Sequence, residues 1–284
     1  MIDPQSKIGV CAPSSYVEKD DIDLAADSLR ARGYDVFVHP QTFMREHQSA
    51  GSHQQKIDAI HDLYRDESID VIWAAGGGNR TMHSVDRLDY DLIARNPKPM
   101  IGFSDVTALL NAITVKTGII NIHAQVFKNL PQYQELDALL SGDYTMSFEN
   151  ARIMKAGDAR GAIYGGNLSL FQYLPETLGH SFLDGAILCL EDCNEELSRI
   201  DRMFLHLKRI GALDRIGGLI LGTFSDLADS TRPFGFSLDD IVREHIEGLD
   251  IPVIMDAPFG HGGHLSPLPI GAQGEMNKKS LRII

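Results

Sequence analysis

Cysteine is scarce in this chain: Cys11, Cys189 and Cys193 are the only three in 284 residues. So small and odd a number argues against a disulfide framework and fits a reducing compartment. Cys189 and Cys193 lack zinc-type spacing and have no second pair. Basic residues are also in deficit, 26 Lys and Arg against 39 Asp and Glu, for a formal net charge of -13. That balance weighs against nucleic acid as the main partner, because phosphate binding needs a basic surface. No uninterrupted apolar run approaches the roughly 20 residues that span a bilayer. The stretch Met1-Ile-Asp-Pro-Gln-Ser-Lys7 has no apolar signal core. A cytoplasmic location without a membrane partner is therefore expected. Repeats and low-complexity tracts are absent as well.

With 43% hydrophobic and 23% charged residues, the composition is that of a globular protein, long enough for two domains with their own cores. Residues 1–125 alternate in pattern. Strands are predicted at Lys7–Ala12, Tyr34–His39, Val71–Ala75 and Met100–Phe103, and helices at Glu18–Arg32, Ser52–Arg65, Thr81–Leu88 and Val106–Thr117. This alternation predicts an α/β fold whose mostly parallel sheet carries helices on both faces. Gly33 and Gly118 stand where helices should stop. From Lys128 to Asp158 the pattern weakens, which suggests an interdomain connection. The expected division is an N-terminal α/β domain, 1–150, and a second, C-terminal domain, 151–284. The second contains the apolar strand Ala186–Leu190 ending at Glu191-Asp192. A helix then places Leu197, Ile200, Phe204, Leu207 and Ile210 near helical spacing, with Asn194 as its cap and Gly211 as its stop. The strand Gly218–Gly222 closes the unit.

The segment Lys98-Pro-Met-Ile-Gly-Phe-Ser-Asp-Val-Thr-Ala-Leu-Leu-Asn-Ala-Ile113 is the most informative. Met100, Ile101 and Phe103 read as a buried strand, while Val106, Leu109, Leu110 and Ile113 mark one helix face. Ser104 sits on the turn between them, where a nucleophile is held by rigid elements and the first helix N–H groups can stabilise an oxyanion. A serine at that place is equally an ordinary N-cap, and taken alone the cap reading leads. Ligands bind such sheets at the C-terminal ends of the strands. The loops there are Pro13-Ser14-Ser15, Gly76-Gly77-Gly78-Asn79-Arg80 and Ser104-Asp105.

Gly76–Gly78 suits a loop that approaches a ligand through its backbone, or a plain tight turn. A dinucleotide fingerprint is ruled out because position 81 is Thr and no acidic ribose partner follows; the Lys and Ser/Thr of a P-loop are also missing. Glu191 ends an apolar strand, an expensive place for a carboxylate unless it is paired or lines a cleft, although a solvated strand end or a helix-start acid explains it too. His261, in Pro258-Phe-Gly-His-Gly-Gly-His264, is either a general base or a surface residue. Ser, Glu and His together could form a catalytic triad, which is recognised by roles and not by sequence order. Cys193 is a poor rival nucleophile beside two acids. A metal hydrolase is disfavoured, since His261 and His264 lie three apart in a loop without a helical H-E-x-x-H pattern. Arg80 and Arg202 are available to pair with carboxylates, though surface contacts explain both.

These residues resemble the LD-carboxypeptidases, a serine peptidase family that also includes microcin-immunity peptidases. The likeness covers nearly the whole chain, through Ile8-Gly-Val-Cys-Ala-Pro-Ser14, the 76–78 glycines with Leu88-Asp-Tyr-Asp-Leu-Ile93, and Ile101-Gly-Phe-Ser-Asp105. It continues through Gly165-Gly-Asn-Leu168, Leu190-Glu-Asp192, Arg199-Ile-Asp-Arg-Met203 and Gly260-His261 with Leu268-Pro-Ile-Gly271. The resemblance implies Ser104 as nucleophile, Glu191 as the acidic member and His261 as the histidine, assembled in a cleft between the N-terminal α/β domain and a smaller C-terminal α/β domain. It implies an oxyanion hole from the N–H groups of Asp105 and of Gly77, the family having two glycines where this chain has three. It further implies cofactor-free and metal-free hydrolysis of the amide joining an L-configured centre to terminal D-alanine, in a cytoplasmic murein tetrapeptide released during peptidoglycan recycling. A microcin-immunity-type peptidase acting on a peptidyl nucleotide and a non-catalytic peptide-binding homologue are the alternatives. A homodimer is left open.

Overall fold

The computed structural model describes residue 2 and residues 4–229 and 231–284. Met1 and Asp3, in the stretch read above for a signal core, and Ser230 lie outside the described residues. The strands are β1 (Lys7–Cys11), β2 (Asp35–Val38), β3 (Val71–Ala74), β4 (Met100–Gly102), β5 (Asn121–His123), β6 (Met146–Ser147), β7 (Arg152–Lys155), β8 (Ala159–Asn167), β9 (Ile187–Cys193), β10 (Gly218–Ser225), β11 (Val253–Met255), β12 (Leu268–Ile270), β13 (Gln273–Met276) and β14 (Ser280–Ile283). Two compact units result, one of residues 1–144 with 267–271 and one of residues 145–266 with 272–284.

In the first unit the sheet order is β12-β5-β4-β3-β1-β2. Strands β1 to β5 are parallel, as the alternating pattern predicts, and β12 closes the edge antiparallel to β5. The order reverses direction between β1 and β3, so the loops leaving these two strands diverge and open a crevice. Buried Trp73, Tyr64 and Phe127 fill the layers around the sheet. Helix His53–Arg65 begins with a capping box made by Ser52 and Gln55, and helix Thr107–Thr117 ends on the left-handed Gly118. The helix predicted over Thr81–Leu88 is only the turn Met82–Val85. Asp89 caps the next helix, Tyr90–Arg95, by accepting from Leu92 N–H at 2.8 Å, which forces the earlier one to stop.

The second unit's sheet runs β6-β14-β13-β8-β9-β10-β11-β7. Its centre, β8 to β11, is parallel, and antiparallel strands extend both sides. β10 therefore does not close the unit. The 128–158 segment is also not a linker throughout, since it holds helix Leu136–Ser141 and the strands β6 and β7. Asn194 is not the cap of the following helix, which runs Leu197–Arg209 from Glu196. It takes φ +57° instead and turns the chain off β9, a conformation Asn tolerates better than most residues. Among the described residues no helix is long and apolar enough to cross a membrane.

Asn121, fully buried, locks β4 to β5 and to helix Thr107–Thr117. Its oxygen accepts from Met100 N–H at 2.8 Å, and its amide donates to the Leu110 carbonyl at 3.2 Å and Thr114 Oγ1 at 2.9 Å. Asn121→Ala leaves these buried groups without partners, and urea denaturation is expected to show a loss of about 2–4 kcal/mol.

Candidate active site

Strand β4 is short and wholly buried, and helix Thr107–Thr117 is buried along most of its length. The three residues Ser104–Val106 join them as a single 3-10 turn. Ser104 has φ +61°, a left-handed backbone that costs a residue with a Cβ roughly 1–2 kcal/mol. Its hydroxyl caps neither this turn nor the helix, whose flanking N-cap residues are Phe103 and Val106. The N-cap reading is thereby removed. Gly77 lies against it: a Cβ on Gly77 would stand 3.0 Å from Ser104 Cβ and 3.4 Å from Ser104 Oγ. Glycine gives close approach there, where a side chain would crowd the serine by a few tenths of an ångström, and is not needed for its dihedral freedom.

Asp105 ties the three loops together. Its carboxylate accepts from Ser14 Oγ at 2.5 Å, in the loop after β1, and from Thr81 N–H at 3.0 Å, after β3. The Thr81 hydroxyl in turn donates to the Asp105 carbonyl. Burial pushes the Asp105 carboxyl above the usual carboxylate range, while the bonds from Ser14 and Thr81 and the charge of Lys56 pull the other way. The sequence pointed to the Asp105 N–H; the clamp made by its side chain was not foreseen. The pairing of Ser14 with Asp105 spans 91 residues, and no local pattern reports it.

The second unit builds a different group. β9 is flanked by parallel strands on both sides and is buried through Asp192, which explains its unbroken apolar run. Glu191 follows that run and is 0% exposed, so it is not a solvated strand end. Its Oε2 accepts from His261 Nδ1 at 2.7 Å and from the His261 N–H at 3.1 Å. A carboxylate at Nδ1 fixes the proton there and leaves the basic lone pair on Nε2. Gly260, at φ +120°, admits the contact, since a Cβ would come within 2.9 Å of Glu191 Cβ.

Asp192, next in the strand, accepts from Asn167 Nδ2 at 2.9 Å, Ser169 N–H at 2.9 Å and Cys193 N–H at 2.8 Å. Asn167 at the end of β8 pairs in register with Glu191, so this network anchors the strand end that carries the acid. The Cys193 thiol is pushed up, mainly by burial and also by Glu191, Asp192 and Asp226, against a thiolate. Among the described residues no three His, Cys, Asp or Glu side chains are grouped as metal ligands.

The structure thus brings Ser104, Asp105 and Gly77 together in one unit and Glu191 with His261 in the other. A hydroxyl on a strained strand–helix turn and an imidazole oriented by a buried carboxylate are the parts that acyl-transfer hydrolases use. Family models described as the LD-carboxypeptidase N-terminal and C-terminal domains match residues 8–124 and 160–276. A protein of Streptomyces coelicolor named as a carboxypeptidase is 30% identical, over 96% of this chain and 91% of its own length. The murein tetrapeptide carboxypeptidase of Pseudomonas aeruginosa is 27% identical over 97% of this chain and 94% of its own. The chain belongs to the LD-carboxypeptidase family. Among solved structures, muramoyltetrapeptide carboxypeptidase from Oxalobacter formigenes superposes with a TM-score of 0.81 at 25% identity, covering 97% of both chains. The microcin self-immunity protein MccF, in complex with glutamyl sulfamoyl guanosine, shares the fold with a TM-score of 0.85 at 21% identity, covering 99% of this chain and 96% of its own.

Burial pushes the Asp192 carboxyl up to about 6, and the neighbouring Glu191 adds to the shift against the pull of its three hydrogen bonds. The folded protein therefore takes up this proton before the unfolded chain does. As the pH falls from 6 towards 4, Asp192 adds stability, and as it rises through that window the contribution is lost. Carboxyl 13C NMR is expected to show one Asp midpoint near 6 that Asp192→Asn removes.

Proposed function

We propose that the protein is a serine-type LD-carboxypeptidase that releases terminal D-alanine from a murein tetrapeptide in the cytoplasm. The observation that carries this reading is the Glu191–His261 pair, a wholly buried carboxylate on the imidazole Nδ1. A buried carboxylate is costly unless it is hydrogen-bonded, and both donors that Glu191 Oε2 receives come from His261. The strained Ser104 turn and the likeness to the murein tetrapeptide carboxypeptidase of Pseudomonas aeruginosa support the same reading.

In this mechanism His261 Nε2 takes the Ser104 hydroxyl proton as Oγ attacks the scissile carbonyl. Glu191 orients the ring and stabilises the imidazolium. The N–H groups of Asp105 and Gly77 bind the oxyanion, a contribution of roughly 3–4 kcal/mol per donor in comparable sites. Collapse of the tetrahedral adduct breaks the C–N bond, and the imidazolium hands its proton to the departing amine of D-alanine. Water, deprotonated by the same imidazole, then attacks the Ser104 ester, releases the tripeptide and restores the serine.

Incubation with a defined murein tetrapeptide is expected to yield free D-alanine, and Ser104→Ala to lower the rate at least about 1000-fold without loss of fold. Near-normal release by a folded Ser104→Ala protein would refute the assignment. A peptidyl-nucleotide analogue run in parallel distinguishes the microcin-immunity activity.

A further inference from the structure

Beside the glycine loop lies a cavity of about 280 Å³ whose wall includes Arg80, His53 and Glu46. None of the chemistry above uses it. Its surroundings are cationic in a chain of net charge -13: Lys56, Arg80, His83 and Arg87 all act on His53 and pull its pKa down, after burial as the largest cause. Glu46 supplies the one carboxylate among the wall residues.

The hydrogen bonds there are unbalanced in one direction. Arg80 Nη2 lies 2.6 Å from His53 Nε2, and a guanidinium only donates, so His53 accepts at Nε2 and carries its proton on Nδ1. That Nδ1 is buried and has no partner. Lys56 is 0% exposed and its ammonium also lacks a hydrogen-bond partner. The Lys56 charge is coupled to Arg80 and Glu46 on the cavity wall and to Asp105 behind the Ser104 turn. A guanidinium on the surface, an ammonium and an N–H donor, the last two without acceptors, specify an anion as the missing component.

We propose that this cavity receives the terminal carboxylate of the peptide substrate, with Arg80 as the residue that pairs with it. A carboxypeptidase must distinguish a chain end from an internal peptide bond, and a fixed cation near the nucleophile does so. Arg80 is well placed. Gly77, three residues before it, packs against the Ser104 side chain, and Thr81, directly after it, is bonded to Asp105. Three residues reach at most about 11 Å, and one terminal residue with the Arg80 side chain covers a gap of that size. The proposal rests on the LD-carboxypeptidase reading.

The test compares a murein tetrapeptide with its C-terminal amide, following tripeptide release from both. The wild-type protein is expected to favour the free acid in kcat/KM by about 10- to 100-fold, the range of a hydrogen bond to a charged group. Arg80→Gln is expected to remove that preference by slowing the acid far more than the amide. Arg80→Lys, which keeps the charge, is expected to retain most of it. An Arg80→Gln protein that keeps the wild-type preference, or slows both peptides equally, overturns the proposal. If the wild-type protein cleaves neither peptide, the LD-carboxypeptidase reading itself falls and takes the carboxylate site with it.

Discussion

Ser104 holds its backbone at φ +61°, and the architecture of the first unit serves to keep it there. A left-handed residue with a Cβ persists only where its surroundings over-determine it. Here β4 precedes the turn and helix Thr107–Thr117 follows it, both largely buried. Gly77 fits against the serine because it has no side chain. Asp105 fastens the turn to the loops after β1 and β3 through Ser14 and Thr81. Removing any of these would let the turn relax to a right-handed backbone and re-aim the hydroxyl.

The second unit solves a different problem, that of keeping a carboxylate where no water reaches it. Glu191 is held by His261, whose ring and backbone N–H groups both donate to one carboxylate oxygen. Asp192 anchors the strand end through Asn167, Ser169 and Cys193. The two adjacent acids thus divide the work. One is committed to an imidazole and the other to backbone and amide donors, and burial raises the second to about 6. The acidic overall charge does not enter this arrangement, which depends on local partners.

Much of this was legible in the residues. The alternating strands and helices of the first half were visible because parallel strands bury both faces and helices bury one. Ser104 was visible as the junction of two periodicities, and Glu191 as a charge ending an apolar run. What escaped was long-range or local in the wrong sense. The edge strand β12 comes from residues 268–270 and joins the first sheet beside β5, a pairing with no periodic signature over three residues. The sequence offered the Asp105 backbone N–H and said nothing of its side chain, whose partners Ser14 and Thr81 lie far off in the chain. Asn194 looked like a cap because Asn favours both caps and left-handed turns, and only the dihedral separates the two.

The central claim is that the strain at Ser104 is maintained for chemistry and not for folding. Glycine adopts the same backbone without the steric cost, though it gives back part of the gain as unfolded-state entropy. The decisive measurement is therefore paired, equilibrium denaturation and D-alanine release for Ser104→Gly beside the wild-type protein. The account predicts a variant more stable by about 0.5–1 kcal/mol that no longer releases D-alanine. A variant that is less stable, or that still turns over the tetrapeptide, would contradict it.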